Sequence, residues 1–264
     1  MKITVFTSNQ PRHLSLIAEL AGVADEVFAI QESTTVFPGK VADFFRKSDV
    51  MQTYFSRVIA AEQEVFGGIG FLPPNVRSLA LKSGDVSSVD IKLLAPALES
   101  DVYVVFGASY IRGPLIDFLV ARNAINIHMG VSPFYRGSSC NFWALYDGNP
   151  DLVGATIHRL SRGLDSGNML FHALPQPVAC DPFLLGMRAV RAAHTSLVTE
   201  IAAGTILACE PVVQDKTLEI RYTRNSDFTD DVAASYLARN MDAETVGALL
   251  RERPERGLLH PRYV

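Results

Sequence analysis

Three polar side chains near the middle of the sequence could together catalyse acyl transfer. Asn126 and His128 lie two residues apart in a short apolar run, AINIHMG, that is typical of a β-strand. Alternate residues of a strand project to the same face, so both side chains point the same way at the strand's carboxyl end. Asp165 follows in a glycine-flanked turn, GLDSG. An amide, an imidazole and a carboxylate are therefore supplied by two separate loops.

These groups suit the transfer of an acyl group to an amine. Attack on a carbonyl creates an oxyanion, which the Asn126 amide or a protonated His128 could stabilise with a hydrogen bond. The attacking ammonium must lose a proton, and Asp165 could accept it directly or through water, or could instead keep His128 protonated. Because the sequence has no recognisable nucleophile elbow, direct transfer is favoured over a covalent enzyme intermediate.

The same residues also have structural interpretations. An Asn-x-His at a strand end is more often structural than catalytic, and an aspartate between glycines is often only a turn residue. A metal site is not expected, since the six histidines are scattered and neither HExxH nor a His–Cys cluster occurs. The residue types and spacing of the trio alone therefore do not decide between a catalytic and a structural role.

Strands and helices alternate through the first 200 residues, which predicts the elements that hold these groups. The predicted strands are residues 2–7, 27–31, 76–81, 102–106, a strand around Asn126 and His128, 153–160 and 169–175. The predicted helices are residues 11–21, 40–66, 87–99, 114–121, 140–146 and 182–203. The β-turn-α-β order predicts an α/β fold, namely a Rossmann-like, mostly parallel sheet with helices on both faces.

The composition becomes more polar after about Cys209, which predicts a small α+β C-terminal subdomain. A short strand over 218–222, helices near 227–238 and 242–252 and an extended end are expected there. We predict a catalytic domain over residues 1–206 and a C-terminal subdomain over residues 207–264. The helix over 40–66 is expected to pack on the sheet, with a lid or a homodimer interface as the alternatives.

Charge and cysteine content exclude several classes of protein. A net charge of −4 gives no strongly basic face, so a nucleic-acid partner is not expected. Three widely spaced cysteines without a CxxC predict neither a disulfide framework nor a zinc knuckle. The N-terminus has the pattern of a strand rather than of a signal peptide, and no apolar run reaches membrane length. We therefore expect a cytoplasmic protein without a membrane partner.

Four motifs occur in an order that resembles one enzyme family. They are Asn126-Ile127-His128, Pro133-Phe134-Tyr135-Arg136-Gly137, Gly148-Asn149 and Asp165-Ser166-Gly167. Together they resemble the folate-dependent formyltransferases, which include glycinamide ribonucleotide and methionyl-tRNA transformylases and sugar N-formyltransferases. The resemblance covers residues 1–205 in strand order and is sharp from about 100 to 178.

The resemblance implies roles for particular residues. Asn126, His128 and Asp165 would be the catalytic trio, and 10-formyltetrahydrofolate would be the formyl donor, with no metal. Backbone groups of two loops would hold the pteridine, so the implied cofactor-binding residues are Ser109, Tyr110, Ile111, Arg112, Leu160, Ser161 and Gly163.

The segment after His128 departs from the family pattern and predicts a different acceptor. The family usually has His-Pro-Ser-Leu-Leu-Pro where this chain has HMGVSP. The chain is longer than the purine enzyme and shorter than the tRNA enzyme, and its tail does not resemble a nucleic-acid-binding β-barrel. By elimination we expect a small-molecule amine acceptor, namely a nucleotide-linked amino sugar. The candidate substrate-binding residues are Gln10, Arg12, His13, Met129, Gly130, Ser132 and Arg136.

Other interpretations stay open. Arg12 and His13 could instead be solvated residues at a helix start, and Arg136 could pin its loop. The enzyme could hydrolyse formyltetrahydrofolate, or act like a methionyl-tRNA formyltransferase. A non-catalytic folate-binding or scaffold protein is a further alternative, which the intact trio disfavours.

Overall fold

The computed structural model describes residues 1–34 and 47–264, and they form an α/β fold around an eight-stranded sheet. The strands are β1 (Lys2–Thr7), β2 (Glu26–Ser33), β3 (Val76–Lys82), β4 (Val102–Val105), β5 (Ile125–His128), β6 (Tyr135–Gly137), β7 (Ala155–Arg159), β8 (Met169–Leu174), β9 (Arg221–Thr223) and β10 (Arg262–Tyr263). The α-helices are α1 (Pro11–Ala21), α2 (Asp49–Phe66), α3 (Pro114–Ala121), α4 (Cys140–Tyr146), α5 (Pro182–Ala202), α6 (Asp230–Ala238) and α7 (Ala243–Arg251).

The strand order brings the ends of three strands together. The sheet runs β10-β8-β7-β5-β4-β1-β2-β3, and β3, β2, β1, β4 and β5 are mutually parallel. Strand β7 then pairs antiparallel to β5, and β8 antiparallel to β7. The carboxyl ends of β1, β4 and β5 therefore meet at one edge, where ligands bind in open α/β sheets.

Successive residues of the strands point to opposite faces of this sheet, and helices cover both faces. On one face Val5 packs with α1 and α5, through side chains such as Leu16 and Leu197. On the other face the neighbouring residue Phe6 packs with α3, through side chains such as Leu119. This period of two follows from strand geometry. The mostly parallel sheet with helices on both faces confirms the predicted fold class.

The last 55 residues are tied to the rest of the chain in three places. Strand β9 pairs with β6, and β10 adds to the edge of the main sheet beside β8. Helices α6 and α7 bury Tyr236 and Leu250 in a core shared with α2, α4 and α5. The boundary between domains 1–206 and 207–264 stays a prediction.

Three predicted elements differ from the structure. The helix expected over 87–99 is a 3₁₀ helix, Ile91–Leu98, since Pro96 lies inside it and lacks the amide hydrogen an α-helix needs. The strand expected over 218–222 begins at Arg221, after a short 3₁₀ turn. The helix expected over 40–66 is not helical at residues 47 and 48, because α2 begins at Asp49 with Ser48 as its cap, and the expected start at residue 40 lies outside the described residues. Within the described ranges, no helix has the length and apolar character needed to cross a membrane.

Candidate active site

The end of β5 and the β7–β8 connection bring the predicted trio together. Strand β7 runs antiparallel to β5 with Asn126 opposite His158, so the loop that follows β7 folds back over β5. The Asn126 Nδ2 group donates to Asp165 Oδ1 over 3.2 Å, and His128 Nδ1 lies 3.3 Å from Asp165 Oδ2. Each carboxylate oxygen of Asp165 therefore faces one of the two β5 side chains.

A fourth polar group, His158, completes this cluster. Its Nδ1 contacts the backbone carbonyl of Arg159 at 2.8 Å, which fixes the proton on that nitrogen. Its Nε2 is then free to accept from Asn126 Nδ2 at 2.9 Å. Both amide hydrogens of Asn126 are thus engaged, one by Asp165 and one by His158. Sequence patterns did not single out His158, because its position opposite Asn126 depends on the register of the strands.

Asp165 and His128 form a buried ion pair. Burial alone would lower the pKa of His128, but hydrogen bonds with Asp165 and Cys140 outweigh it and raise that pKa to about 10. Burial alone would raise the pKa of Asp165, but the hydrogen bond from His128 and its positive charge hold that pKa well below its usual range. At neutral pH the pair is therefore an imidazolium and a carboxylate.

The second nitrogen of His128 faces a thiol. His128 Nε2 lies 3.5 Å from Cys140 Sγ, and that sulfur lies 3.4 Å from the backbone oxygen of Gly137. The close approach depends on Gly130, because a Cβ there would meet Cys140 Cβ at 2.5 Å and His128 Nε2 at 2.8 Å. The imidazole is thus contacted at both ring nitrogens. The segment HMGVSP, which differs from the family pattern, has a glycine at position 130 because a side chain there would collide with His128 and Cys140.

The turn that carries Asp165 is fixed by a residue far along the chain. Asp165 adopts a left-handed backbone conformation, with φ of 45°. The Gln214 side-chain amide donates to the backbone oxygens of both Asp165 and Gly167, at 2.9 Å each. Gly167 lies so close to Arg159 that a Cβ would fall 1.7 Å from its carbonyl oxygen. The segment after residue 206 therefore helps to hold the turn, which local sequence patterns could not show.

A cleft of about 200 Å³ opens beside the trio. Asn126, His158 and Asp165 line its inner end. Six of the seven predicted cofactor-binding residues also line it, namely Ser109, Tyr110, Ile111, Leu160, Ser161 and Gly163. Arg112 does not, and its backbone amide instead donates to Ser87 Oγ at 3.0 Å. The two loops predicted to form one ligand site therefore do face one cleft.

One buried carboxylate organises a wall of this cleft. Glu32, at the end of β2, is 4% exposed. It accepts hydrogen bonds from the amides of Gly84 and Val86 and from both the amide and the hydroxyl of Ser109. It thereby ties two strand-end loops together. The signal for Glu32 in the sequence is a charged residue at the carboxyl end of a predicted strand.

We expect Glu32→Ala to loosen this wall. The change leaves the amides of Gly84, Val86 and Ser109 without their acceptor, which costs about 2–3 kcal/mol of unfolding free energy. Affinity for tetrahydrofolate should fall about tenfold while the maximal transfer rate changes little, since the trio is not touched. Urea unfolding and calorimetric titration measure the two effects. Unchanged folate affinity in a folded variant would show that Glu32 has no part in the site.

The predicted residues of the first loop differ in accessibility, since Gln10 is exposed, Arg12 is half-buried and His13 is buried. Arg12 pairs with the buried carboxylate of Glu62 at 2.8 Å and also contacts Gln10. His13 is 3% exposed and lies against Phe106, with ring centroids 4.9 Å apart. Burial, with a smaller effect of Arg12, lowers the pKa of His13 to about 3, so it is neutral. Their acceptor contacts stay predictions.

The predicted acceptor residues after His128 lie at different depths. Ser132 is fully buried, and its amide donates to Thr156 Oγ1. Met129 is half-buried beside the core. Arg136 Nη1 bonds Glu219 at 2.8 Å, which matches the loop-pinning alternative as well as a contact at the site edge. In the described part of the chain, no group of three or more His, Cys, Asp or Glu side chains could hold a metal ion.

The ion pair predicts a specific pH dependence of stability. The pKa of His128 rises on folding from 6.5 to about 10, so its contribution is complete below pH 6.5 and is lost as the pH rises toward 10. The low pKa of Asp165 adds stability that is lost only in acid, as the pH falls below about 4. Urea unfolding between pH 7 and 10 should therefore show a decline that is shallower in His128→Gln. Parallel curves for the two proteins would contradict the assigned pair.

The sequence of this chain is similar to those of known proteins. Residues 1–181 match the family model described as "Formyl transferase". Methionyl-tRNA formyltransferase from Trichlorobacter lovleyi is 29% identical over 116 residues, covering 41% of this chain and 36% of that protein. The enzyme from Geobacter sulfurreducens is 36% identical over 114 residues, covering 39% and 34%. The chain thus matches about a third of the length of these relatives.

Solved structures share the fold over a longer range. A sugar N-formyltransferase from Shewanella sp. FDAARGOS_354 aligns over 86% of this chain and 78% of its own, at 17% identity and a TM-score of 0.52. An N-formyltransferase from Helicobacter canadensis, solved with folinic acid and dTDP-3-aminofucose, aligns over 87% and 73%, at 12% identity and a TM-score of 0.52. At such identities the similarity establishes the fold alone.

Proposed function

Since the chain belongs to the formyl transferase family, we propose that it moves a formyl group from 10-formyltetrahydrofolate to a primary amine on a small acceptor. The family match confirms the resemblance that the four motifs carry. The observation that carries the proposal is the convergence of Asn126, His128 and Asp165 at the carboxyl end of β5, inside the matched residues. Two of the three, Asn126 and Asp165, line the cleft itself, and His128 contacts Asp165.

In this proposal the cleft holds the pteridine of the folate, and its lining includes Ser109, Tyr110, Ile111, Leu160, Ser161 and Gly163. Backbone groups of these two loops would bind the pteridine, and the formyl group on N10 would then lie next to Asn126 and Asp165. Backbone recognition explains why these loops need little side-chain identity. The folate derivative in the Helicobacter canadensis structure supports this assignment by family membership.

In the proposed reaction the positive charge of His128 and the negative charge of Asp165 have different roles. The neutral amine attacks the formyl carbon, and the positive charge of His128 stabilises the oxyanion that forms. An amide hydrogen of Asn126 adds to this only by leaving its present partner, Asp165 or His158. After attack the nitrogen is strongly acidic, so the weakly basic Asp165 carboxylate suffices to accept its proton. The bond from carbon to N10 then breaks, and N10 takes up a proton. The products are the formamide and tetrahydrofolate.

For the acceptor we propose a nucleotide-linked amino sugar. The Helicobacter canadensis relative was solved with such a molecule, dTDP-3-aminofucose. The tail of this chain carries α6, α7 and two short strands, and the net charge is −4, a combination poorly suited to a tRNA phosphate backbone. A homodimer stays a prediction, and so does the division into a catalytic domain, 1–206, and a C-terminal subdomain, 207–264.

The curated relatives support one alternative acceptor, methionyl-tRNA. The two acceptors are distinguished by incubating the protein with 10-formyltetrahydrofolate and, separately, a panel of nucleotide-linked amino sugars and charged methionyl-tRNA. Mass spectrometry of the products identifies the formylated amine. We expect a formamido sugar as the product, and we expect no binding of tRNA even at low salt. Formyl-methionyl-tRNA as the only product would identify methionyl-tRNA, and not an amino sugar, as the acceptor. Formate released without any acceptor would indicate a hydrolase.

A further inference from the structure

Three side chains lie in a row across strands β5, β7 and β8. In the register of these strands His128 is opposite Thr156, and Thr156 is opposite His172. Residues that lie directly opposite each other in antiparallel strands point to the same face of the sheet. Thr156 is fully buried and His172 is 1% exposed. The row therefore runs from the imidazole of the trio through the interior to the strand next to the sheet edge.

The segment that follows His128 is held on this row by hydrogen bonds to its backbone. Thr156 Oγ1 accepts from the Ser132 amide at 2.8 Å and donates to the Gly130 carbonyl at 2.7 Å. The Ser132 carbonyl lies 2.7 Å from His172 Nε2. Gly130 in turn lies against the imidazole of the trio, since a Cβ there would be 2.8 Å from His128 Nε2. Two side chains of the row thus fix the backbone that packs on His128.

A residue near the end of the chain contacts the other ring nitrogen of His172. The backbone amide of Leu259, which precedes β10, donates to His172 Nδ1 at 2.9 Å. The Leu259 carbonyl accepts from the His172 backbone amide, also at 2.9 Å. The His172 ring therefore bridges the backbone of Leu259 and the backbone of Ser132.

These two contacts require one particular tautomer of His172. A carbonyl oxygen can only accept and a backbone amide can only donate, so Nε2 carries the proton and Nδ1 does not. Burial lowers the pKa of His172 to about 4, against a smaller opposing effect of the Ser132 carbonyl, so the ring is neutral and has a single N–H proton. The hydrogen bond at one ring nitrogen determines which nitrogen carries that proton. The Leu259 amide thus keeps a donor facing Ser132.

From this geometry we propose that His172 is a positioning residue for formyl transfer, and that the Leu259 amide sets its tautomer. The inference rests on the proposed function and adds to it a backbone group outside residues 1–181, which match the family model. His172 is not among the described residues that line the folate cleft, so it acts on the rate through the placement of His128. A displacement of a catalytic group by about 1 Å can lower a rate about a hundredfold.

Two substitutions separate the contacts of His172. Glutamine places an amide nitrogen at the position of Nε2, so His172→Gln keeps the donor to Ser132. Asparagine ends at the position of Nδ1, so His172→Asn keeps an acceptor for Leu259 and leaves the Ser132 carbonyl without a donor. We expect His172→Asn to lower kcat about tenfold to a hundredfold and His172→Gln to lower it less than about threefold. Circular dichroism checks the fold, and KM for folate should change less than about twofold in both variants.

A double-mutant cycle tests the role of the Leu259 amide. Leu259→Pro removes the amide hydrogen, whereas the matched variant Leu259→Ala keeps it. We expect Leu259→Pro to lower kcat about tenfold in the wild-type background and less than about twofold in the His172→Gln background, because glutamine has no tautomer to set. Leu259→Ala should lose much less than Leu259→Pro. Equal losses from Leu259→Pro in the two backgrounds would overturn the inference.

Nitrogen-15 NMR of the histidine rings gives a readout that needs no activity. The ring whose signals disappear in His172→Gln should have a protonated Nε2 and an unprotonated Nδ1 in the wild type. Leu259→Pro should shift that ring toward the other tautomer, and His172→Asn should change the signals of the His128 ring. Unchanged His172 signals in folded Leu259→Pro, or unchanged His128 signals in folded His172→Asn, would overturn the inference.

The two readouts separate this inference from the proposed function. A wild-type protein that formylates no amine would contradict the function, while the NMR signals would still show whether His172 and Leu259 hold His128 in place. A wild-type protein that transfers the formyl group, with a normal kcat in both His172→Asn and Leu259→Pro, would retain the function and lose only the positioning role of His172.

Discussion

His128→Ala is expected to lower formyl transfer by about a thousandfold or more. The imidazolium is the buried positive charge beside the space where the oxyanion forms, and Asp165 and Cys140 hold it at both nitrogens. Removing it takes away that positive charge, while both amide hydrogens of Asn126 are engaged by Asp165 and His158. The measurement is single-turnover transfer at saturating folate and acceptor, so that the chemical step is compared directly.

Two controls separate loss of chemistry from loss of structure. His128→Ala should retain its secondary structure by circular dichroism and bind tetrahydrofolate within about threefold of the wild type, since the folate loops are untouched. His260→Ala removes an exposed imidazole and should transfer at the wild-type rate. A folded His128→Ala protein with a near-normal rate would remove His128 from the catalytic residues.

Asp165→Asn is expected to lower transfer by about a hundredfold to a thousandfold at neutral pH. The amide keeps the size of the carboxylate but loses its charge, so the buried His128 loses the partner that holds its pKa near 10. The imidazole then becomes neutral at neutral pH, and the proton acceptor for the amine is also lost. The remaining activity should rise as the pH is lowered, because acid restores the imidazolium.

A matched aspartate provides the control for that change. The Asp101 carboxylate accepts a hydrogen bond from the Lys2 backbone amide at 2.7 Å, and it lies at the opposite edge of the sheet. Asp101→Asn should leave the rate and its pH profile unchanged. A pH profile of Asp165→Asn that runs parallel to the wild type would mean that Asp165 does not hold the proton on His128.

Local patterns were enough to predict most elements of the fold. The β1 strand and helices α1, α3 and α4 begin and end where their apolar spacing, prolines and turn residues indicate. The exceptions arise where one residue outweighs the pattern, as Pro96 does in the 3₁₀ helix. The docking of β10 on the sheet edge was not predicted, since a two-residue strand has no pattern of its own.

Contacts between distant residues were the part of the site that the sequence could not show. His158 reaches Asn126 only through the register of β5 and β7. Gln214 reaches the Asp165 turn across 49 residues of sequence. The contact of Cys140 with His128 depends on the space that Gly130 leaves. Side-chain identity alone gives none of these distances.

The central claim is that this protein transfers a formyl group between a folate and an amine at the Asn126–His128–Asp165 cluster. Its most direct test follows an isotope label, using 10-formyltetrahydrofolate carrying ¹³C in the formyl carbon and a nucleotide-linked amino sugar. We predict that mass spectrometry will find the label on the sugar nitrogen, one formamide for each tetrahydrofolate released, and almost none with Asp165→Asn. Label that stays on the folate or appears only as formate, or equal transfer by the variant, would contradict the claim.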